Sequence, residues 1–217
     1  MRERMVVIIT ILFVFVILWI SGCGQMKDNS SVTSFYPHVN GAVWRYKYSR
    51  LDQYGRNSHY ATEYFNGYSF LEDGLKVQNY YVSEETEAIL SVSVNTVNAF
   101  ELFLTGFYYI DNTGVYYYWS TTEAEAQLIL PLPLEVGNTW KRNDWDFKAV
   151  TMEEISTPAG IFKVIRVERQ NPTRNECYEW YADGIGLIKS VTKAVDVRGG
   201  VTMEISVTTQ ELISKNF

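Results

Sequence analysis

An all-β domain behind a short N-terminal targeting segment is the fold class this sequence predicts. Three observations predict it. From Val43 onward the dominant hydrophobic period is two, turn signals punctuate the chain between short β-rich runs, and no mature window of a dozen residues holds a convincing helical stripe. At 217 residues the chain is long enough for a real hydrophobic core without disulfides.

The first element is the leader. Met1 to Met5 (MRERM) is net positive, and Val6 to Ile20 is apolar apart from Thr10. As a helix this run would span about 22 Å at 1.5 Å per residue, short of the ~30 Å hydrocarbon core. It therefore reads as a signal-peptide helix over residues 1–22 rather than a membrane span. The residues that follow, Ile20-Ser21-Gly22-Cys23, resemble the bacterial lipobox: an aliphatic residue, two small residues, then cysteine. The resemblance implies that the Cys23 thiol receives a diacylglyceryl group and that a signal peptidase cuts between Gly22 and Cys23. Each buried acyl CH₂ contributes about 0.8 kcal/mol, so two or three chains would hold the protein on a bilayer. The expected location is the bacterial cell envelope, facing the periplasm or the exterior. Residues 24–34 (GQMKDNSSVTS) are polar and aperiodic, so 23–34 reads as lipidated cysteine plus flexible tether.

The β domain is expected over 35–217. In Trp44 to Arg50 three aromatics alternate with charged or polar residues, as on a half-buried antiparallel strand. Similar runs occur at Tyr60–Phe65, Leu75–Val82, Ile89–Val97, Phe107–Ile110, Val115–Trp119, Phe162–Glu168, Tyr178–Tyr181, Gly186–Val191 and Met203–Thr209. Turn residues separate them at Gln53–Asn57, Glu72–Gly74, Asp111–Gly114, Asn171–Thr173 and Arg198–Gly200. Thr121 to Leu130 (TTEAEAQLIL) is the best helix candidate, ending before Pro131. Two architectures fit this pattern, an antiparallel curved sheet or half-barrel and a two-sheet sandwich.

One echo organises the chain. Pro37 to Trp44 and Pro133 to Trp140 share Pro-x3-Gly-x2-Trp, with Gly41 matching Gly137 and Trp44 matching Trp140. Each later carries an aromatic strand, an Asp-Gly turn and a second strand, at Tyr108–Tyr118 and Tyr178–Lys189, the latter through Gly184 and Gly186. Two similar halves, 35–130 and 131–217, are the expected construction. LPLPLEVGNTW, TPAGIFKV and WYADGIGLIK are also similar to a widespread group of bacterial lipoproteins and secreted β-proteins, whose pattern is PL-x-x-G-x-x-W, PAG-x-F and WYA-x-G-x-G-x-x-K. That resemblance implies an envelope β-protein with structural turn glycines and aromatic core plugs, and it implies no reaction. The first half keeps only the spacing.

The charged and reactive inventory is thin. A formal charge of −6 argues against nucleic acid as a partner, because phosphates select basic surfaces. Two histidines, His38 and His59, and two cysteines leave no metal-ligand set, and no cofactor is expected. No Gly-x-Ser-x-Gly elbow occurs, and Gly184–Lys189 lacks the Lys-Ser/Thr of a phosphate loop. Cys177 stands between Glu176 and Glu179, which disfavour a thiolate. No catalytic residue is therefore expected. The surplus is aromatic: 16 Tyr, 11 Phe and 6 Trp, with the run Tyr116, Tyr117, Tyr118, Trp119 as the candidate ligand-contact set. Consecutive aromatics in a strand point to both faces, so some must be exposed or covered by another layer. The expectation is a lipid-anchored, non-catalytic binding or assembly module. Its partners would be the membrane through the anchor and an envelope protein, a hydrophobic ligand held in a β-cavity, or a glycan stacked on Tyr and Trp.

Overall fold

The computed structural model describes residues 35–37, 39–86, 103–170, 175–198 and 201–217. The lipobox residues Ile20, Ser21, Gly22 and Cys23, His38, the expected strand at Ile89–Val97, the turn Asn171–Thr173 and Gly199 and Gly200 of the turn Arg198–Gly200 lie outside the described residues.

Twelve strands follow one another: β1 (Val43–Asp52), β2 (Gly55–Phe70), β3 (Lys76–Thr86), β4 (Phe103–Ile110), β5 (Gly114–Tyr118), β6 (Gln127–Pro131), β7 (Thr139–Arg142), β8 (Trp145–Thr157), β9 (Gly160–Arg169), β10 (Asn175–Ala182), β11 (Gly186–Arg198) and β12 (Val201–Lys215). There is no helix among the described residues. The Thr121–Leu130 helix expectation is corrected: Gln127–Pro131 is strand β6, and the preceding residues form turns. Leu128 and Leu130 pair with Tyr116 and Val115 of β5, and that cross-strand burial overrides the local helix propensity of the Glu-Ala stretch.

The sheet order is β6-β5-β4-β3-β2-β1-β12-β11-β10-β9-β8-β7, and every pairing is antiparallel. Each strand thus lies beside its sequence neighbours, with β1 and β12 joining the two arms of the order. The sheet curls until its outer strands, β6 and β7, meet again, giving a nearly closed barrel. Across that seam side chains replace the backbone ladder. Trp140 Nε1 and Arg142 Nη2 both donate to the Ile129 carbonyl, at 3.1 and 3.0 Å, and Gln127 Nε2 donates to Asn143 Oδ1. Pro131 and Pro133, on either side of the end of β6, have no N–H to offer a ladder.

Because the strands alternate in direction, the connections alternate between two ends. The segment 35–42, the β2–β3, β4–β5, β6–β7, β8–β9 and β10–β11 connections and the C-terminus belong to one end, here the base. The remaining connections belong to the other, the rim.

The echo in the sequence is an echo in the backbone. Trp44 is the second residue of β1 and Trp140 the second residue of β7, the first strand of each six-strand half. Gly41 (φ 87°) donates to the Phe65 carbonyl at 2.8 Å and Gly137 (φ 103°) to the Ala149 carbonyl at 2.8 Å. Phe65 N returns a bond to the Ala42 carbonyl, and Ala149 N to the Asn138 carbonyl. In both halves the second strand bulges against the third directly after that residue. A positive φ is open to glycine without a Cβ clash, which is why this turn carries glycine twice.

Three clusters form the core. One gathers Phe35, Val115, Leu130, Leu134, Trp140, Phe147, Ile165 and Tyr181, and so joins strands from both halves across the interior. A second packs Trp44, Tyr46, Phe65, Val164, Ile188 and Leu212. A third, smaller one places Leu71 and Val77 against Phe107 and Tyr118.

Candidate functional site: a half-open acidic and aromatic recess

The cross-strand register fixes which residues share the inner face. Trp44 lies opposite Glu63, Tyr46 opposite Ala61 and Leu212, Tyr48 opposite His59 and Gln210, and Phe65 opposite Tyr80. Of these positions Trp44, Tyr46, Phe65 and Leu212 are sealed, at 3% exposure or less. Beside them the same face changes character. Tyr48, His59, Glu63, Tyr80, Tyr108 and Gln210 are all half-buried, so this part of the interior stays reachable by water although strands surround it. The change follows from the alternation itself, which supplies Tyr48, Glu63 and Gln210 where apolar residues would have closed the barrel.

Glu63 lies at the centre. Its Oε1 accepts from Tyr48 Oη at 3.0 Å and from Gln210 Nε2 at 3.0 Å, and Tyr80 also hydrogen-bonds its carboxyl. Burial raises its pKa above the usual carboxylate range, and these three neutral donors only partly offset that. Tyr48 is pushed up in turn, by burial first and then by the Glu63 charge. His59 stacks flat on Tyr48, with centroids 5.0 Å apart and planes 3° apart. From Glu63 the rings continue toward the base: Tyr80 meets Tyr108 edge-on at 5.0 Å, and Tyr108 stacks on Tyr36 at 6.1 Å. Tyr36 belongs to the segment entering β1. It is inserted between Tyr108, Trp44 and Tyr181, and forms the floor of the recess.

A second buried acid lies on the same face and is treated differently. Glu179 receives both guanidinium nitrogens of Arg142, Nη1 to Oε1 at 2.7 Å and Nη2 to Oε2 at 2.8 Å, and the Tyr181 hydroxyl at 2.8 Å. Burial alone would raise this carboxyl, but the Arg142 charge and its hydrogen bonds hold it below the usual range. Cys177 Sγ lies 3.8 Å from Glu179 Oε1, and its thiol is pushed up to about 11 by burial and then by the Glu179 charge. The expectation that neighbouring carboxylates disfavour a thiolate holds in this geometry. Glu179 acts on it, being two residues away on the same face of β10.

The aromatic run singled out in the sequence is split between environments. Tyr117 faces inward, is buried, and donates its hydroxyl to the Thr105 carbonyl at 2.6 Å. Tyr118 faces outward but is buried under Leu71 and Val77. Tyr116 lies beside Tyr109 at 6.1 Å, and Trp119, 62% exposed, meets Tyr117 edge-on at 4.8 Å. These four do not form one stacking platform, because a strand sends successive side chains to opposite faces. Gly41, Gly137 and Gly184 lie in base turns. Gly186 has a more specific task, since a Cβ there would lie 3.1 Å from the Tyr36 ring. Glu63, Arg142 and Tyr36 escaped sequence reasoning, and Glu179 entered it only as a neighbour of Cys177. The available signal was phase: Glu63 falls in step with Ala61 and Phe65, and Glu179 with Cys177 and Tyr181, so each acid interrupts an inward-facing series.

No family model and no curated protein matches the sequence. Among solved structures, the chain is similar to one described as a "putative lipoprotein" from Parabacteroides distasonis, at 15% identity over 85% of this chain and 99% of that one, with a TM-score of 0.38. It is similar to a "putative exported protein with YmcC-like fold" from Bacteroides fragilis, at 13% identity over 85% and 100%, with a TM-score of 0.40. A third is a DUF1329 family protein from Desulfovibrio piger, at 11% identity over 83% and 86%, with a TM-score of 0.27.

Proposed function

We propose that this chain is a lipid-anchored protein of the bacterial cell envelope that works by binding, without bond-making chemistry of its own, and that the recess around Glu63 is its binding site. The observation that carries the binding half is that, on one inner face, six half-buried residues rich in hydrogen-bonding groups lie beside a sealed aromatic core. A barrel evolved only for stability gains by closing that space with apolar side chains, as it does around Trp44, Tyr46, Phe65 and Leu212. The anchoring half is supported by the lipobox Ile20-Ser21-Gly22-Cys23 and the polar tether behind it.

The lining favours a ligand with a polar or charged group over a wholly apolar one. Beneath a pure hydrocarbon the Glu63 carboxyl would lose solvent and keep only its three uncharged donors.

Two measurements test the proposal. Intact-mass analysis of the protein from a lipoprotein-processing host should give a chain starting at Cys23 and carrying acyl groups, and Cys23→Ala should abolish the modification. An unmodified full-length chain would end the anchoring claim. Native mass spectrometry from mild neutral detergent should show a small molecule that is lost on Tyr48→Trp, a substitution that fills the recess. A bare protein whose Tyr48 and Tyr80 resonances respond to none of a panel of envelope extracts would end the binding claim.

A further inference from the structure

The two inner-face acids pose a contrast. Glu179 is matched by the bidentate guanidinium of Arg142, whereas Glu63 is held, among the described residues, by hydroxyl and amide donors. A carboxylate taken out of water is normally balanced by a cation or neutralised. The groups acting on Glu63 are burial and three uncharged donors, so among the described residues no cation is bonded to this carboxyl, and a cationic ligand would favour its ionised form. The walls around it are rings: Tyr48, with His59 stacked behind it, on one side, and Tyr80 leading to Tyr108 and Tyr36 on the other. Negative charge amid aromatic faces is the environment that stabilises a soft organic cation, through Coulomb attraction and the ring quadrupoles together.

We propose that the recess takes a quaternary or methylated ammonium group, seated against Glu63 between the rings of Tyr48 and Tyr80. This inference rests on the reading of the recess as a binding site and deepens it. The donor geometry selects a methylated cation over a primary amine. Glu63 Oε1 already accepts from both Tyr48 and Gln210, and an ammonium without N–H groups needs nearby charge and ring faces rather than acceptor lone pairs. A free small cation and the headgroup of a lipid present the same chemistry to this carboxyl.

The test uses the full lipidated chain in a neutral alkyl-maltoside micelle, titrated calorimetrically with choline and with 3,3-dimethylbutanol, its neutral isostere. Choline should bind at least tenfold more tightly than the alcohol. Glu63→Gln should bring the two to within about twofold while leaving the circular-dichroism spectrum unchanged, and Tyr48→Leu, which removes the ring, should weaken choline binding about fivefold. The Tyr48→Leu arm and the wild-type comparison stand even if Glu63→Gln fails to fold, and choline binding unchanged by Tyr48→Leu overturns the seat against that ring. Equal binding of the two probes, or a choline preference that survives Glu63→Gln in a folded protein, overturns the cation and leaves the binding site standing. If neither probe binds and neither shifts the Tyr48 or Tyr80 resonances, the cation fails, and the site itself then stands or falls on the ligand found by native mass spectrometry. A lysophosphatidylcholine arm separates sources: tighter binding than choline supports a lipid headgroup, and binding of choline alone supports a free cation.

Discussion

Trp140 Nε1 on β7 donates to the carbonyl of Ile129 on β6 at 3.1 Å, across the seam where the backbone ladder is interrupted. Its counterpart Trp44 donates to the Ile185 carbonyl at 2.7 Å, also far from its own strand. In both halves the tryptophan that follows the glycine turn pins the strand to a distant piece of backbone.

These bonds can be weighed separately from ring packing. Trp44→Phe, which removes the donor and keeps most of the apolar area, should cost about 1 kcal/mol. Trp44→Ala should cost about 3–5 kcal/mol through the cavity it leaves. Urea unfolding with a common slope checks both, and equal losses for the two variants would show that the indole N–H carries the whole effect.

The Arg142–Glu179 pair should behave as a buried unit. Arg142→Met leaves Glu179 without its cation and breaks one bond across the seam, so a loss of about 3–5 kcal/mol is expected. Adding Glu179→Leu should recover most of it, because neither charge then remains to be buried. Chemical denaturation of the two single variants and the double variant gives the cycle.

The two inner-face acids predict opposite pH effects. Glu179 is held below its unfolded-state pKa, so its contribution is present above the ordinary carboxylate range and is lost as pH falls through the folded value. Glu63 is held above its unfolded-state value, so its ionised form weakens the fold at neutral pH, and that penalty disappears as pH falls through the raised value. Glu63→Gln should therefore raise the neutral-pH urea midpoint, and Glu179→Gln should lower it. A shift in the same direction for both would show that one of the environments is misassigned.

Gly186 and Gly41 separate backbone strain from crowding. Both have positive φ, but a Cβ at Gly41 meets open space whereas one at Gly186 presses on the Tyr36 ring at 3.1 Å. Gly41→Ala should cost about 1–2 kcal/mol. Gly186→Ala should cost more and should also perturb the recess by displacing its floor, visible as a change in the Tyr36 and Tyr108 resonances.

Cys177 should be chemically quiet. With its thiol pushed up to about 11, little thiolate exists at neutral pH, so alkylation by iodoacetamide should be far slower in the folded protein than after denaturation. Rapid labelling of native protein would contradict the burial described here.

The sequence by itself determined the all-β class, the turns among the described residues and the repeated entry into each half. Those features are local: a period of two, glycines where φ must be positive, and a tryptophan three residues after Gly41 and Gly137. The lipobox reading also rests on the sequence alone, since it needs no fold, and the intact mass of the processed protein tests it. The three strands that sequence reasoning missed, β6, β7 and β8, show where local information ends. β6 and β7 are short and follow Glu-Ala and Pro-rich stretches, and β8 mixes polar and apolar residues around a bulge; partners on neighbouring strands hold all three in place. Only the tertiary structure decided that Glu63 and Glu179 share one interior face, that Arg142 reaches one acid and neutral donors the other, and that Tyr36 floors the recess. Which face is interior depends on how twelve strands curl and meet, and no window of neighbouring residues contains that curvature.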